Sequence, residues 1–148
     1  MQTPWKILEK WRGQGRAASP AAAALDGGAA TTKARGQAAE DAALHYLQQQ
    51  GLKLLARNYR TPGRGGGEID LVMQERDDTV VFVEVRQRQS ADFGGAGASI
   101  SGTKQRRIIL AARHYLAAQT TLPACRFDAV LVQDDVQWLR AAFDAGVD

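Results

Sequence analysis

Gly67-Glu68-Ile69-Asp70-Leu71-Val72-Met73-Gln74-Glu75-Arg76-Asp77-Asp78-Thr79-Val80-Val81-Phe82-Val83-Glu84-Val85-Arg86-Gln87-Arg88 contains two apolar runs separated by a charged, turn-forming tetrad. Residues 68–74 and 79–88 are rich in β-branched and large apolar side chains, and Glu75-Arg76-Asp77-Asp78 between them reads as a tight turn, so the segment is predicted to be a β-hairpin. Side chains alternate along a strand. Glu68 and Asp70 are therefore expected on one face with Ile69 and Leu71 on the other, and Phe82, Glu84, Arg86 and Arg88 together with Val81, Val83 and Val85 opposite.

Register decides what those acids can do. If Arg76, Asp77 and Asp78 form a three-residue loop, cross-strand partners have numbers summing to 154, placing Asp70 opposite Glu84 and Glu68 opposite Arg86. A two-residue loop shifts the pairing by one and destroys the cluster. Directly opposed Cβ atoms lie about 4.5 to 5.5 Å apart, where two carboxylates repel by roughly 3 kcal/mol at an effective dielectric of 20. Arg86 can neutralise one charge. A hard divalent cation with oxygen ligands supplies the remaining balance, and Mg²⁺ commonly uses one or two carboxylates plus a substrate phosphate. The alternative is a hydrated surface hairpin with a Glu68–Arg86 pair worth about 0.2 to 1 kcal/mol.

Around the hairpin, the apolar spacing of Ala39, Ala43, Tyr46 and Leu47 predicts a helix over 33–50, closed by Gly51. Residues 52–60 have strand character. Thr61-Pro62-Gly63-Arg64-Gly65-Gly66-Gly67 is a loop; it contains a G-x-G, but no helix follows, so a dinucleotide fingerprint does not fit. A glycine-rich stretch from Gln89 to Gly102 leads into a second helix over about 103–119, with Ile108, Ala112, Tyr115 and Leu116 inward. Strands follow over 125–132 and 136–140, with Cys125 expected in the core. The order αβββαββ describes an α/β fold, a mixed sheet with a central antiparallel hairpin and flanking helices.

Glu40 precedes Leu44 and Leu47 at helical spacing, and Lys104 stands likewise to Ile108 and Ala111, so both are expected to point towards the sheet. Two charges at the inner ends of two helices, beside a carboxylate hairpin, point to a site. His45 and His114 lack a second ligand at metal spacing and are expected to be structural or solvated.

The chain has 148 residues, enough for one domain, with 45% hydrophobic and 24% charged residues. Residues 33–144 are expected to form it, and 1–32, rich in Ala and Gly towards its end, reads as a mobile arm. No apolar run approaches the roughly 20 residues of a membrane helix. The N-terminal Trp5, Ile7, Leu8 and Trp11 are interrupted by Lys6, Lys10 and Arg12, which argues against an export signal. Cys125 is the sole cysteine, so no internal disulfide forms, and a cytoplasmic location fits.

Net charge is only +3, but from Val85 to Phe127 seven basic residues meet the single acid Asp92. Lys53, Arg57, Arg60 and Arg64 form a second acid-free stretch, and Arg outnumbers Lys 14 to 5. Arginine favours bidentate contact with phosphate, so a polyanionic partner is expected, with Arg60, Arg88, Arg106 and Arg107 as candidate nucleic-acid contacts. For Arg106 and Arg107 on an exposed helix face, simple solvation remains the alternative.

Gly36 to Glu40 with Ala43-Leu44-His45-Tyr46-Leu47, then Ala56-Arg57-Asn58-Tyr59-Arg60, Gly67 to Val72, Val81 to Arg86, Lys104-Gln105-Arg106-Arg107 and Cys125-Arg126-Phe127-Asp128 resemble the YraN-like family of uncharacterised bacterial proteins, over about residues 36–143. That family is similar to Holliday-junction resolvases and to the PD-(D/E)xK, restriction-endonuclease-like nucleases. The resemblance implies Asp70 and Glu84 as metal ligands, Glu40 at the helical glutamate position and Arg86 where lysine is usual. Arginine stays protonated and cannot be a general base; water activation then falls to the metal with help from Glu68 or Lys104, and Arg86 holds the phosphate. The expected function is an endonuclease using Mg²⁺ or Mn²⁺ on DNA rather than RNA, including branched or damaged structures, with a homodimer implied by the resolvase likeness. A catalytically inactive nucleic-acid-binding domain and a protein-interaction module are the alternatives. Salt-dependent DNA binding separates the last from the others.

Overall fold

The computed structural model describes residues 31–87 and 100–146. The elements are α1 (Thr32–Gln49), β1 (Lys53–Arg60), β2 (Glu68–Gln74), β3 (Val80–Gln87), α2 (Gly102–Ala117), β4 (Cys125–Val132) and β5 (Val136–Phe143). The five strands form one sheet in the order β1-β2-β3-β4-β5; β3 and β4 run parallel and the other neighbours antiparallel. A parallel pair needs a crossover, and α2 lies within it. The αβββαββ order expected from sequence is the order found.

The expected arm falls outside the described residues except at its end, where Thr31 caps α1 through a bond from the Ala34 amide to its Oγ1 and Thr32 already begins the helix. Arg88 and the glycine-rich stretch up to Ser99 also lie outside the described residues. The last strand runs three residues beyond the expected 140.

Among the described residues, each face of the sheet carries one helix. Ala39, Ala43 and Leu47 of α1 pack on Leu71, Met73, Val81, Val83 and Val130. Ile108, Ala111 and Ala112 of α2 pack on Ile69, Val72, Phe82, Phe127 and Ala129. β3, covered on both sides, is buried from Val80 to Glu84, as a central strand should be. Cys125 is exposed rather than in the core, because β4 becomes inaccessible only from its third residue.

The hairpin turn has the length that brings the acids together. β2 and β3 pair Leu71 with Val83, Val72 with Phe82, Met73 with Val81 and Gln74 with Val80, each pair summing to 154. The Glu75 amide bonds the Thr79 carbonyl at 2.9 Å and Asp78 takes a positive φ of 69°. This is a three-residue loop with a left-handed last position, stabilised by a bond from the Thr79 amide to the Asp77 carboxylate at 3.0 Å.

Strict alternation fails at the other end of β2. Leu71 belongs to the layer under α1 and Ile69 to the layer under α2. β1 does the same: Arg57 reaches Glu40 and Asp41 of α1, whereas the Tyr59 ring meets Tyr115 of α2. Between them Asn58 has φ 51°, a left-handed residue that turns the ribbon over. Ile69 and Leu71 thus do not share a face, contrary to the period-2 reading.

Gly67 lets α2 approach β2. A Cβ there would lie 2.7 Å from the Ala111 amide nitrogen and 2.9 Å from the Ala111 Cβ. Gly67→Ala should therefore lower stability by roughly 1 to 3 kcal/mol and the thermal midpoint by several degrees. An unchanged melting curve would mean that α2 does not rest on the strand here.

Candidate functional site

Pairing between β2 and β3 stops at Leu71 and Val83, and side chains occupy the fork beyond. The Asp70 carboxylate accepts the Val85 amide at 2.8 Å, taking the place of a backbone carbonyl. Glu84, on the opposite face of β3 from Val83 and Val85, is 7% exposed and forms an ion pair with Lys104 of α2, Nζ to Oε1 at 3.5 Å. Its Oε2 is buried with no hydrogen-bond partner. Burial, and then the charge of Asp70 alongside, push the Glu84 carboxyl up to about 8, against a smaller opposing pull from Lys104.

Glu40 approaches the fork from α1. Burial first and the Asp70 charge second raise its pKa. Its Oε2 accepts from Arg57 Nε at 3.4 Å, Arg57 Nη2 at 3.3 Å and Asn58 Nδ2 at 3.3 Å; the third guanidinium nitrogen, Nη1, pairs with Asp41 at 2.6 Å. Arg57 and Asn58 thus hold Glu40 towards the carboxylates. Sequence reading took Arg57 for free positive charge and passed over Asn58, because its partners lie on a helix 17 and 18 residues away.

Glu84 and Arg86 share a cleft of about 320 Å³ with Ile100, Ser101 and Lys104. Glu68 lies elsewhere: Arg60 holds it at 3.0 Å, and both line a recess with the glycine loop and Arg107. Asp70, Glu84, Glu40 and Lys104 are brought together, Arg86 stands on the same cleft, and Glu68 belongs to a neighbouring recess. Arg88 is outside the described residues.

Among the described residues, no group of three or more His, Cys, Asp or Glu side chains has metal-holding geometry. The fit to a cation rests instead on two carboxylates. An unpartnered buried oxygen beside a second carboxylate is the donor set of a Mg²⁺ site completed by water and phosphate. The cleft's donor-bearing residues Glu84 and Ser101 offer oxygen and no sulfur or imidazole, and they stand beside the cations Arg86 and Lys104.

Several basic residues are already engaged: Arg57 by Glu40 and Asp41, Arg60 by Glu68, and Arg126 by Glu75 and Asp128. Arg106 donates to Thr103 at 3.2 Å and remains exposed beside Arg107 and Arg113 on α2. These three arginines form one exposed basic group on α2; Lys33, Arg35, Lys53, Arg64, Arg76 and Arg140 are exposed elsewhere. His114 contacts the Tyr59 hydroxyl through Nδ1, a structural role.

Buried Asp128 is the acid that sequence reading missed. It accepts from Arg126 Nε at 2.8 Å and Nη2 at 2.9 Å, from Trp138 Nε1 at 2.9 Å and from the Ala141 amide at 2.9 Å. Its sign was available, since Asp128 shares its parity along β4 with the apolar Val130 and Val132.

Among the described residues, a mixed five-stranded sheet with one helix on each face, carrying the buried Glu84 and the half-buried Asp70 at the fork of its central hairpin, defines this as a mixed α/β domain. The chain belongs to the uncharacterised protein family UPF0102, which matches residues 39–132. Relatives bearing that family name include one from Paracidovorax citrulli, 68% identical over 124 residues, 81% of this chain and 92% of that protein. Another, from Polaromonas naphthalenivorans, is 57% identical over 151 residues, covering 91% and 99%. No helix among the described residues is long and apolar enough to cross a membrane.

Proposed function

We propose that this domain is a metal-dependent endonuclease that hydrolyses phosphodiester bonds in DNA, with branched or damaged structures as its substrate class. The observation that carries the proposal is the orphaned Glu84 Oε2 beside Asp70. Glu84 is paired with Lys104 through Oε1 alone, and a buried oxygen without a partner costs stability that a cation bound between Glu84 and Asp70 would recover. Asp70 and Glu84 are the residues that would hold Mg²⁺ or Mn²⁺, which when bound supplies Lewis acidity and a water acidic enough to attack phosphorus.

The chain's own residues do the rest. Asp70 is fixed by the Val85 amide, so it is ready for a ligand without reorganisation. Arg86, permanently protonated, can bind the scissile phosphate and the charge that grows on its oxygens. Lys104, at 3.5 Å from Glu84, can orient that carboxylate and supply a proton to the leaving oxygen. Glu40, held by Arg57 and Asn58, can orient or deprotonate water on the other side of Asp70. The exposed arginines of α2 supply backbone contacts to the duplex. A homodimer and a cytoplasmic location belong to the same proposal.

A second reading, a nucleic-acid-binding domain without cleavage, is favoured by Arg86 itself, which cannot exchange a proton as lysine does. Cleavage of linear, single-stranded and four-way-junction DNA with Mg²⁺ and Mn²⁺ separates the two. Asp70→Asn is expected to lower metal-dependent cleavage by roughly two to three orders of magnitude, and Arg86→Lys to preserve or raise it. Equal cleavage by Asp70→Asn and the wild type would remove Asp70 from the site; binding without cleavage would leave the second reading.

A further inference from the structure

The recess beside the carboxylate fork is lined by Arg60, Thr61, Gly63, Gly65, Gly66, Gly67, Glu68 and Arg107, with a volume of about 220 Å³. Two guanidinium groups reach it from different elements, Arg60 from the end of β1 and Arg107 from α2. Arg60 is paired with Glu68, while Arg107 and Arg64 have no acid within ion-pair distance among the described residues. The recess is therefore net positive.

The loop between the arginines is built to expose backbone. The Thr61 amide bonds the Gly67 carbonyl at 3.0 Å and the Gly67 amide bonds Thr61 Oγ1 at 2.7 Å, closing its neck. Gly66 must be glycine, since a Cβ there would meet the Thr61 carbonyl at 2.8 Å. Gly63 and Gly65 are different: their φ values are 90° and 71°, and nothing lies within 4 Å of a Cβ at either. Among the described residues, the amides of Gly63, Arg64 and Gly65 make no hydrogen bond. Free amides in a left-handed turn, flanked by arginines, are the elements of an anion seat.

We propose that the Thr61–Gly67 loop, with Arg60 and Arg107, is a phosphate-binding subsite that holds a backbone phosphate of the nucleic acid next to the scissile one. The inference rests on the nucleic-acid reading above and deepens it. Glu68 stands two residues from Asp70, about 7 Å along the strand at a rise of roughly 3.3 to 3.4 Å per residue. That separation is comparable with one nucleotide step. Glu68 acts as a positioning residue, keeping Arg60 at the rim through their ion pair. The subsite reads backbone and not base, so it adds affinity and register without sequence preference.

Gly65 allows a test in which only charge changes. Asn and Asp both tolerate a left-handed backbone, and the open space at Gly65 accommodates either. In the full chain, Gly65→Asp should bind labelled four-way-junction DNA about tenfold more weakly than Gly65→Asn. Arg107→Ala should reduce the slope of log affinity against log salt by about 0.9, the loss of one phosphate contact. Independently, titration of inorganic phosphate should shift the amide resonances of Gly63 and Gly65. If DNA binds with equal affinity to the Asp and Asn variants and those amides stay unmoved, the subsite is overturned while the nucleic-acid reading stands. Amide shifts with phosphate but no DNA binding by the wild type would keep an anion seat and overturn the nucleic-acid reading on which its assignment rests.

Discussion

Arg126→Ala is expected to destabilise the domain by about 3 to 5 kcal/mol, the cost of leaving a buried ion without its partner. Asp128 is completely buried, and its carboxylate is satisfied by four donors of which Arg126 supplies two. The same guanidinium reaches across β3 to Glu75 at the end of β2, Nη2 to Oε1 at 2.8 Å. Alanine removes both contacts and leaves two acids on one side, one of them out of reach of water. Against a typical stability of about 5 to 15 kcal/mol, this is a large fraction of the total. Asp128→Asn should cost less, because the amide is neutral and its oxygen still accepts from a neighbouring donor. Chemical denaturation of the three proteins checks the order; equal midpoints for Arg126→Ala and the wild type would show that water or rearrangement satisfies Asp128.

Glu84→Gln is expected to make the metal-free protein more stable at pH 8 to 9 and to flatten its pH dependence. The folded pKa of Glu84, about 8, lies above its ordinary 4.5. The folded state therefore retains a proton that the unfolded chain has released, and the slope of unfolding free energy with pH is negative across that window. Stability associated with the protonated form is fully present below about pH 4.5 and is lost as pH rises through 8. The full effect is on the order of 3 to 5 kcal/mol at about 1.36 kcal/mol per pKa unit. Glutamine cannot ionise, and its amide can donate to Asp70. Mg²⁺ should stabilise the wild type in the same alkaline range, because a ligand carboxylate must be deprotonated, and should do little for Glu84→Gln. Superimposable pH–stability curves for the two proteins would remove Glu84 from its buried place beside Asp70.

The fold was legible because its signals are local. Periodicity placed both helices, and the charged tetrad at Glu75 marked a three-residue turn whose length set the β2–β3 register as far as Leu71 and Val83, short of the expected Asp70–Glu84 and Glu68–Arg86 pairs. Glu40 and Lys104 were found from helical spacing with inward apolar residues. The rest depends on contacts between distant segments. Nothing in the immediate surroundings of Ile69 shows that Asn58 turns the ribbon over, so Glu68 was grouped with the wrong recess. Arg57 and Arg126 looked like solvent-facing charge because their acids are supplied by other elements. Cys125 looked internal because its strand is apolar, although burial begins only at Phe127.

The turn at Arg76, Asp77 and Asp78 carries a further consequence. Surface hairpin loops ordinarily accept inserted or deleted residues with little penalty, and this one touches none of the acids at the fork. Yet its length acts as a reading frame for the two strands it joins. Chemical substitution within it leaves the frame intact, whereas a change of one residue moves Glu84 off the cleft face and Val83 onto it. The count of residues in this loop is therefore held more tightly than its composition, apart from the left-handed position at Asp78.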